Sequence, residues 1–146
     1  MSFSGGCQCG AVRFEAGRLG RSSICHCRMC QKATGGFFGP YVDVHDFAWT
    51  KGAPKYFKSS RAVQRGFCGA CGTHLSFEMG ENKGVAIGAL DDPEAAPPTT
   101  QLIWPEKLSY ADHLAELPPW THPETGQTPE EAFAAVKSNQ APDAAG

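Results

Sequence analysis

The stretch Cys25-His26-Cys27-Arg28-Met29-Cys30 places three thiols within six residues. Thiols this close together in sequence can reach a single soft metal ion. Zinc takes four ligands in a tetrahedron, and three protein ligands with an open fourth position are typical of catalytic rather than structural zinc sites. His26 lies between two ligands, so its side chain must point away from the metal that they share. The stretch therefore predicts a zinc site with one open coordination position.

The other four cysteines form two pairs, in Cys7-Gln8-Cys9-Gly10 and in Cys68-Gly69-Ala70-Cys71-Gly72. In both pairs a glycine follows the second cysteine, as expected where a chain turns around a metal with positive φ. We predict a closed four-thiolate zinc site with the ligands Cys7, Cys9, Cys68 and Cys71. Because the two pairs are about sixty residues apart, this site would join the two halves of the domain. It would contribute on the order of 10 kcal/mol to folding.

Other uses of the cysteines remain open. Cys27 and Cys30 could combine with Cys68 and Cys71 as a zinc ribbon, which would leave three thiols without a role. His74 could close the trio as a fourth ligand, although a position near the start of a strand already explains this histidine. The trio could also hold a structural zinc completed by water or by a partner's side chain. As a third possibility, it could cycle through disulfides as a redox centre.

Composition limits the class of protein. A chain of 146 residues with 41% hydrophobic residues fits one domain with a modest core. Its 13 basic and 15 acidic residues give a formal charge of -2, which provides no field to attract nucleic acid. The amino terminus and the remaining sequence contain no apolar run long enough to span a bilayer. Seven cysteines, an odd number, indicate metal binding in a reducing cytoplasm rather than disulfides.

Short strands dominate the predicted secondary structure. Alternating apolar residues and glycine or proline breaks predict strands at 11–15, 37–44, 55–58, 62–67, 73–79, 84–90 and 101–104. Gly17 and Gly20 predict a turn, and residues 31–34 a single helical turn ended by Gly35. The three tryptophans are interpreted as core anchors, at positions Trp49, Trp104 and Trp120.

The composition changes after Trp120. We predict a domain over residues 1–120 and a carboxy-terminal extension over residues 121–146. In Thr128-Pro129-Glu130-Glu131, Thr128 can cap a helix and Glu131 can return the hydrogen bond. This pattern predicts a short helix that presents Phe133 and Val136. Disorder is predicted beyond Lys137.

Three motifs in the chain resemble those of the glutathione-dependent formaldehyde-activating enzymes, a family grouped with centromere protein V. They are Gly6-Cys7-Gln8-Cys9-Gly10-Ala11-Val12, Cys25-His26-Cys27-Arg28-Met29-Cys30-Gln31-Lys32 and Arg65-Gly66-Phe67-Cys68-Gly69-Ala70-Cys71-Gly72. Weaker similarity continues to about residue 120. The resemblance implies a β-tent of short antiparallel strands with little helix. It also implies a structural zinc on Cys7, Cys9, Cys68 and Cys71, and a catalytic zinc on Cys25, Cys27 and Cys30.

The activity that the resemblance implies is the joining of formaldehyde to glutathione to give S-(hydroxymethyl)glutathione, formally a carbon-sulfur lyase reaction in reverse. Two residues depart from the family pattern. Gln101 stands where many members have histidine, and Tyr110 where many have tryptophan. If that histidine moves protons, the protein would be slower or would act on a different small substrate. A non-catalytic zinc-binding interaction module is the alternative function.

The charge of the open site suggests further residues. Three thiolates leave a zinc site with a net charge of -1, and a substrate thiolate adds to it. Cations near the site should therefore assist binding of a small thiol such as glutathione. Arg28, Lys32 and Arg65 are the local candidates. His26 is interpreted as a residue that supports the ligands from behind or lies at the surface.

Overall fold

The computed structural model of the protein describes residues 2–142. Within that range the chain is mainly β, with little helix, as the sequence predicts. The strands are β1 (Phe3–Gly6), β2 (Arg13–Cys25), β3 (Gly39–Lys51), β4 (Lys55–Lys58), β5 (Val63–Phe67), β6 (His74–Met79), β7 (Asn82–Ala86) and β8 (Thr100–Leu102). The α-helices are α1 (Arg28–Thr34) and α2 (Pro129–Ala132). No helix in the described range combines the length and apolar character needed to cross a membrane.

One sheet contains all eight of these strands. Its order is β1-β2-β3-β7-β6-β5-β4, and the neighbours along this path are antiparallel. β8 lies beside β2 and pairs with it in parallel, with Cys25 opposite Leu102. The amide of His26 continues the pairing by donating to the Leu102 carbonyl, at 3.0 Å. This pairing brings residues 100–106, distant in sequence, against the cysteine trio.

The turn predicted at Gly17 and Gly20 is wrong, because β2 runs through both residues. A Cβ atom at Gly17 would lie 3.0 Å from Cβ of Asp46, and one at Gly20 would lie 3.0 Å from Nε2 of His45. These glycines therefore allow a close approach between β2 and β3, which is a role of glycine inside strands. The pairing of the two strands shifts register between Leu19 and Ser22.

The core lies under the centre of the sheet and is built from alternate residues of several strands. Phe14, Val42, Leu75 and Val85 are fully buried within it. Trp49 packs against Phe14 with the ring centroids 5.9 Å apart, as predicted for an anchor. The same prediction is wrong for Trp104 and Trp120, which are 51% and 47% exposed. Both follow the last strand and contact residues outside the core, because Lys107 Nζ lies 3.6 Å from the Trp104 ring centroid and Trp120 stacks on Phe133.

The described chain divides into two compact units. One contains the described parts of Met1–Leu108 and Gln140–Gly146, and the other is Ser109–Asn139. Within the second unit, α2 begins at the predicted capping box, and Phe133 and Val136 are exposed as predicted. In the first unit, the Ala141 amide donates to the Gln8 carbonyl at 2.8 Å. The disorder predicted beyond Lys137 falls partly on residues 143–146, which lie outside the described residues, and the 1–120 and 121–146 division stays a prediction.

Candidate metal centre

The first cysteine cluster joins the end of β1 to the turn between β5 and β6. The Sγ atoms of Cys7, Cys9, Cys68 and Cys71 all lie within 4.8 Å of one another. Cys9 Sγ is 3.6 Å from Cys7 Sγ and 3.8 Å from Cys68 Sγ. Two sulfurs bound tetrahedrally to one zinc at 2.3 Å are about 3.8 Å apart. The cluster could therefore hold zinc with little rearrangement.

Backbone conformation supports this cluster as the sequence suggests. Gly10 and Gly72 have φ values of 79° and 80°, which residues with a Cβ rarely adopt. These turns direct backbone amides toward the sulfurs. The Val12 amide donates to Cys7 Sγ at 3.2 Å, and the Ala70 amide to Cys68 Sγ at 3.4 Å. Amide donors of this kind stabilise thiolates.

The second cluster is the trio, which lies where β2 ends and α1 begins. The Sγ atoms of Cys25, Cys27 and Cys30 also lie within 4.8 Å of one another, so this cluster too could hold zinc. Cys27 is the N-cap of α1, and its sulfur accepts the Cys30 amide at 3.3 Å. Burial opposes the thiolate of Cys27, but this hydrogen bond helps to lower its pKa overall. The two clusters are separate groups of four and three cysteines. The alternative zinc ribbon is therefore not formed, because it would combine Cys27 and Cys30 with Cys68 and Cys71.

A cavity of about 510 Å³ opens over the trio. Its lining combines residues from the trio, α1, the β4–β5 turn, β5, β6, the end of β8 and the segment after it. The side chains are Cys25, Cys27, Met29, Cys30, Ser59, Ser60, Val63, Arg65, Phe77, Leu102, Ile103 and Glu106. The trio thus borders an open space large enough for a small-molecule ligand.

Arg65 places a charged side chain in contact with the trio. Its side chain is on β5 and only 4% exposed. Nη2 lies 3.5 Å from Cys30 Sγ, Nε donates to Ser59 Oγ at 3.0 Å, and the guanidinium lies 5.1 Å from the Phe77 ring centroid. Burial opposes the charge of Arg65, but the contact with Cys30 raises its pKa overall. Among the residues that the structure describes, its polar partners are a thiol and hydroxyls rather than a carboxylate.

A hydrogen-bonded chain leads from Arg65 into the sheet. Arg65 Nη1 donates to the Tyr41 hydroxyl at 2.8 Å, and that hydroxyl lies 2.7 Å from Nε2 of His74. Burial, and then the charge of Arg65, lowers the pKa of His74 to about 4. Neutral His74 accepts a hydrogen bond from the Tyr41 hydroxyl at Nε2. The structure therefore places His74 behind Arg65 and not among the trio's sulfur atoms.

His26 is turned away from the trio, as its position between two cysteines predicts. It is 1% exposed, and its Nε2 lies 2.8 Å from Oε1 of Gln101. Because an amide oxygen only accepts, Nε2 carries the proton in this tautomer. Gln31 fixes the same loop by donating from Nε2 to the His26 carbonyl at 2.8 Å. The contacts of His26 with Gln101 and with Gln31 hold the cysteine-bearing loop on the side away from the sulfur atoms.

Arg28 and Lys32 lie outside the cavity over the trio. Together with Met29, Ala33, Phe57, Ser59 and Arg65, they line an adjoining groove of about 400 Å³. The Arg28 guanidinium also donates to Oε1 of Gln31, and its backbone amide donates to the Glu106 carboxylate at 2.8 Å. The two spaces share Met29, Ser59 and Arg65. Arg28 and Lys32 can therefore reach a ligand's distal part more easily than its reacting atoms.

Several site residues could not be identified from the sequence. Arg65 contacts Tyr41, Ser59 and Phe77. Strand pairing and the β4–β5 turn bring these residues together, and the cysteine motifs do not encode either of them. Glu106 reaches the start of α1 because β8 pairs with β2. A signal was available for Gln31, which directly follows the trio, but a buried glutamine cannot be distinguished by spacing from a surface one.

The fold and the site define a class of protein, a mainly antiparallel β domain with one cluster of four cysteines and one of three, each of which could hold zinc. Residues 2–107 match the family described as "Glutathione-dependent formaldehyde-activating enzyme", and the chain belongs to this family. The crystal structure of a Rhodobacter sphaeroides protein is similar, with a TM-score of 0.53 and 22% sequence identity. The match covers 67% of this chain and 98% of that one, and it supports the fold alone.

Proposed function

We propose that this protein is a zinc-dependent carbon-sulfur lyase that forms and cleaves hemithioacetals, with glutathione as the thiol and formaldehyde as the simplest aldehyde. The supporting observation is the position of the trio, whose three thiols border an open cavity beside the buried cation of Arg65. The catalytic zinc ligands would be Cys25, Cys27 and Cys30, and the structural ligands Cys7, Cys9, Cys68 and Cys71. Reduced cysteines and a thiol substrate fit a cytoplasmic enzyme.

The reaction requires a thiolate near neutral pH and an electrophilic carbonyl. Zinc on the trio would lower the pKa of a bound thiol or polarise the aldehyde oxygen. In the forward direction sulfur attacks the carbonyl carbon, so that the S–C bond forms and the C=O π bond breaks. The thiol proton ends on the carbonyl oxygen, and the reverse reaction returns it to sulfur.

Arg65 would serve this reaction by compensating negative charge. A trio of thiolates is anionic, and the substrate thiolate adds a further charge. Burial raises the pKa of the Cys30 thiol to about 12, although Arg65 acts in the opposite direction. The positive charge 3.5 Å from Cys30 Sγ therefore favours the deprotonated cluster. Its bonds to Tyr41 and Ser59 hold that charge in one place.

Arg28 and Lys32 would bind the carboxylates of glutathione in the adjoining groove. The groove meets the cavity at Met29, Ser59 and Arg65, so one ligand can extend from the trio into it. Both cations are exposed to solvent, so each should contribute modestly to affinity.

Titration calorimetry of the zinc-loaded protein tests the proposal. Glutathione should bind at least about tenfold, or roughly 1.4 kcal/mol, more tightly than S-methylglutathione, which cannot form a thiolate. Two buffers of different ionisation enthalpy should reveal proton release. Exchange NMR should show faster hemithioacetal formation, and this acceleration should be lost in Cys27→Ser. Equal affinities would exclude glutathione as the thiol, and binding without acceleration would identify a binding module instead.

A further inference from the structure

The cavity over the trio has walls that are chemically unlike glutathione or formaldehyde. Apart from the thiols, most of its lining residues are apolar, namely Met29, Val63, Phe77, Leu102 and Ile103. Two of the polar side chains have partners already, because Arg65 bonds to Cys30, Tyr41 and Ser59, and Glu106 accepts the Arg28 amide. A ligand carboxylate entering this space would also meet the negative charge of Glu106. The cavity therefore suits an apolar group.

Ile103, one of the residues that line the cavity, has an unusual backbone conformation. Its φ and ψ are 53° and 51°, in the left-handed region that β-branched residues rarely adopt. The side chain remains 51% exposed at the cavity instead of packing in the core. The neighbouring pairing of the Leu102 carbonyl with the His26 amide fixes the chain at this point. Strained residues persist where their surroundings impose them, and they concentrate at ligand sites.

The volume of the cavity also exceeds what the smallest aldehyde needs. The carbonyl carbon of formaldehyde carries only two hydrogens, so its adduct needs little room beside the sulfur atom. The space over the trio is about 510 Å³. The anionic parts of a glutathione adduct have cations available in the adjoining groove, at Arg28 and Lys32. The apolar space beside the sulfur atoms is then left for the carbonyl-derived part of the adduct.

We propose that this cavity selects hemithioacetals whose carbonyl carbon carries an apolar group, such as a short alkyl chain or a phenyl ring, over the formaldehyde adduct. This inference rests on the proposed function and specifies its substrate class. The chemistry is unchanged, because the S–C bond forms as the C=O π bond breaks and the thiol proton moves to oxygen. No oxidant or reductant is required.

Binding of S-alkylglutathiones to the purified protein tests the cavity without requiring turnover. In the series from S-methyl to S-butyl, each methylene should raise the affinity measured by calorimetry about three- to fourfold if it becomes buried. In parallel, exchange NMR with glutathione should give a kcat/KM at least about fivefold higher for butanal than for formaldehyde. A series of equal affinities, or a preference for formaldehyde, would overturn the inference.

Two variants of Ile103 locate the effect. Ile103→Asn places a polar side chain in the cavity, and Ile103→Gly removes the side chain, and both residue types accept positive φ. Either variant should at least halve the increase in affinity that each methylene gives. Val136→Asn is the matched control, because Val136 is an exposed β-branched residue that lines neither the cavity nor the adjoining groove, so the gain should remain. An unchanged gain in both Ile103 variants would show that the alkyl group binds elsewhere. Failure of the proposed function would differ, since no aldehyde adduct of any size would be turned over.

Discussion

Arg65 Nη2 lies 3.5 Å from Cys30 Sγ, so a guanidinium that is almost fully buried faces the open cysteine cluster. A buried cation needs a compensating charge, and within the described chain the trio of thiols is the group placed to supply it. The dependence is mutual, because the same cation favours thiolates over thiols. The trio and Arg65 therefore form one electrostatic unit.

Replacing Arg65 should weaken zinc binding at the trio. Loss of a residue that supports metal ligands typically costs 10- to 100-fold in metal affinity, and we expect at least about tenfold for Arg65→Gln. Arg65→Lys keeps the charge but cannot contact Cys30, Tyr41 and Ser59 together, so its loss should be intermediate. Competition with a chromophoric chelator would measure the affinity of the weaker site. Arg61→Gln, an exposed arginine in the turn before β5, is the control. Equal affinity in Arg65→Gln and Arg61→Gln would contradict this role.

His74 should make the stability of the protein depend on pH. Its pKa is lowered from 6.5 to about 4 in the folded protein, first by burial and then by Arg65. Between these values the unfolded chain binds more protons, so the free energy of unfolding should rise with pH from about 4 to 6.5 and fall on acidification. Urea titrations across this interval would show a smaller pH dependence for His74→Gln than for the wild type.

Acid also releases zinc from thiolates, but it does so in the wild type and the variant alike. The quantity to compare is therefore the difference between the two proteins at each pH. His45→Gln, which replaces an exposed histidine, is the matched control. If the free energies of unfolding of the wild type and of His74→Gln differ by the same amount at every pH from 4 to 6.5, that result would contradict a buried neutral histidine at position 74.

Two zinc ions should bind with unequal lability. The four-cysteine cluster leaves no coordination position for a chelator, whereas the trio leaves one. Mild chelation should therefore remove about one zinc per chain while the fold persists, as seen by metal analysis and circular dichroism. Loss of both ions together, or unfolding at the first step, would refute the division into a closed and an open site.

Cysteine substitutions should separate the clusters by their effects. Cys68→Ser removes a ligand that connects β1 to the β5–β6 turn, so it should destabilise the protein severely and reduce soluble yield. Cys27→Ser should remain folded and should lose zinc at the trio together with hemithioacetal formation. Thermal unfolding and zinc content would distinguish the two variants. An insoluble Cys27→Ser beside a normally stable Cys68→Ser would mean that the roles are reversed.

The local parts of the site could be predicted because the cysteine spacing alone determines them. Each pair in the four-cysteine cluster lies within four residues, so the geometry of the pair depends on one turn, and Gly10 and Gly72 mark those turns by their positive φ. The end of α1 was equally local, since Gly35 adopts the left-handed conformation with a φ of 69°. The bounds of β4, β5 and β6 are also close to the predicted ones, because local alternation of apolar residues and the breaks between the strands determine them.

The features that could not be predicted depend on pairing between distant segments. Gly17 and Gly20 have the composition of a turn, and only the approach of β3 explains why they lie within a strand. The segment predicted to be a strand from 101 to 104 ends at Leu102, and the next residue adopts positive φ. Its importance follows from the parallel contact of β8 with β2, which no local pattern indicates.

Leu102 is held beside the trio through main-chain atoms, by its pairing with Cys25 and by the hydrogen bond from the His26 amide. Such bonds do not depend on which side chains the segment carries. Residues 102 and 103 could therefore be exchanged in a mutant library while every cysteine of the two clusters stays in place. Under the proposed function, selectivity and metal retention would then be encoded in separate stretches of the gene. New aldehyde preferences should accordingly be accessible in few mutational steps.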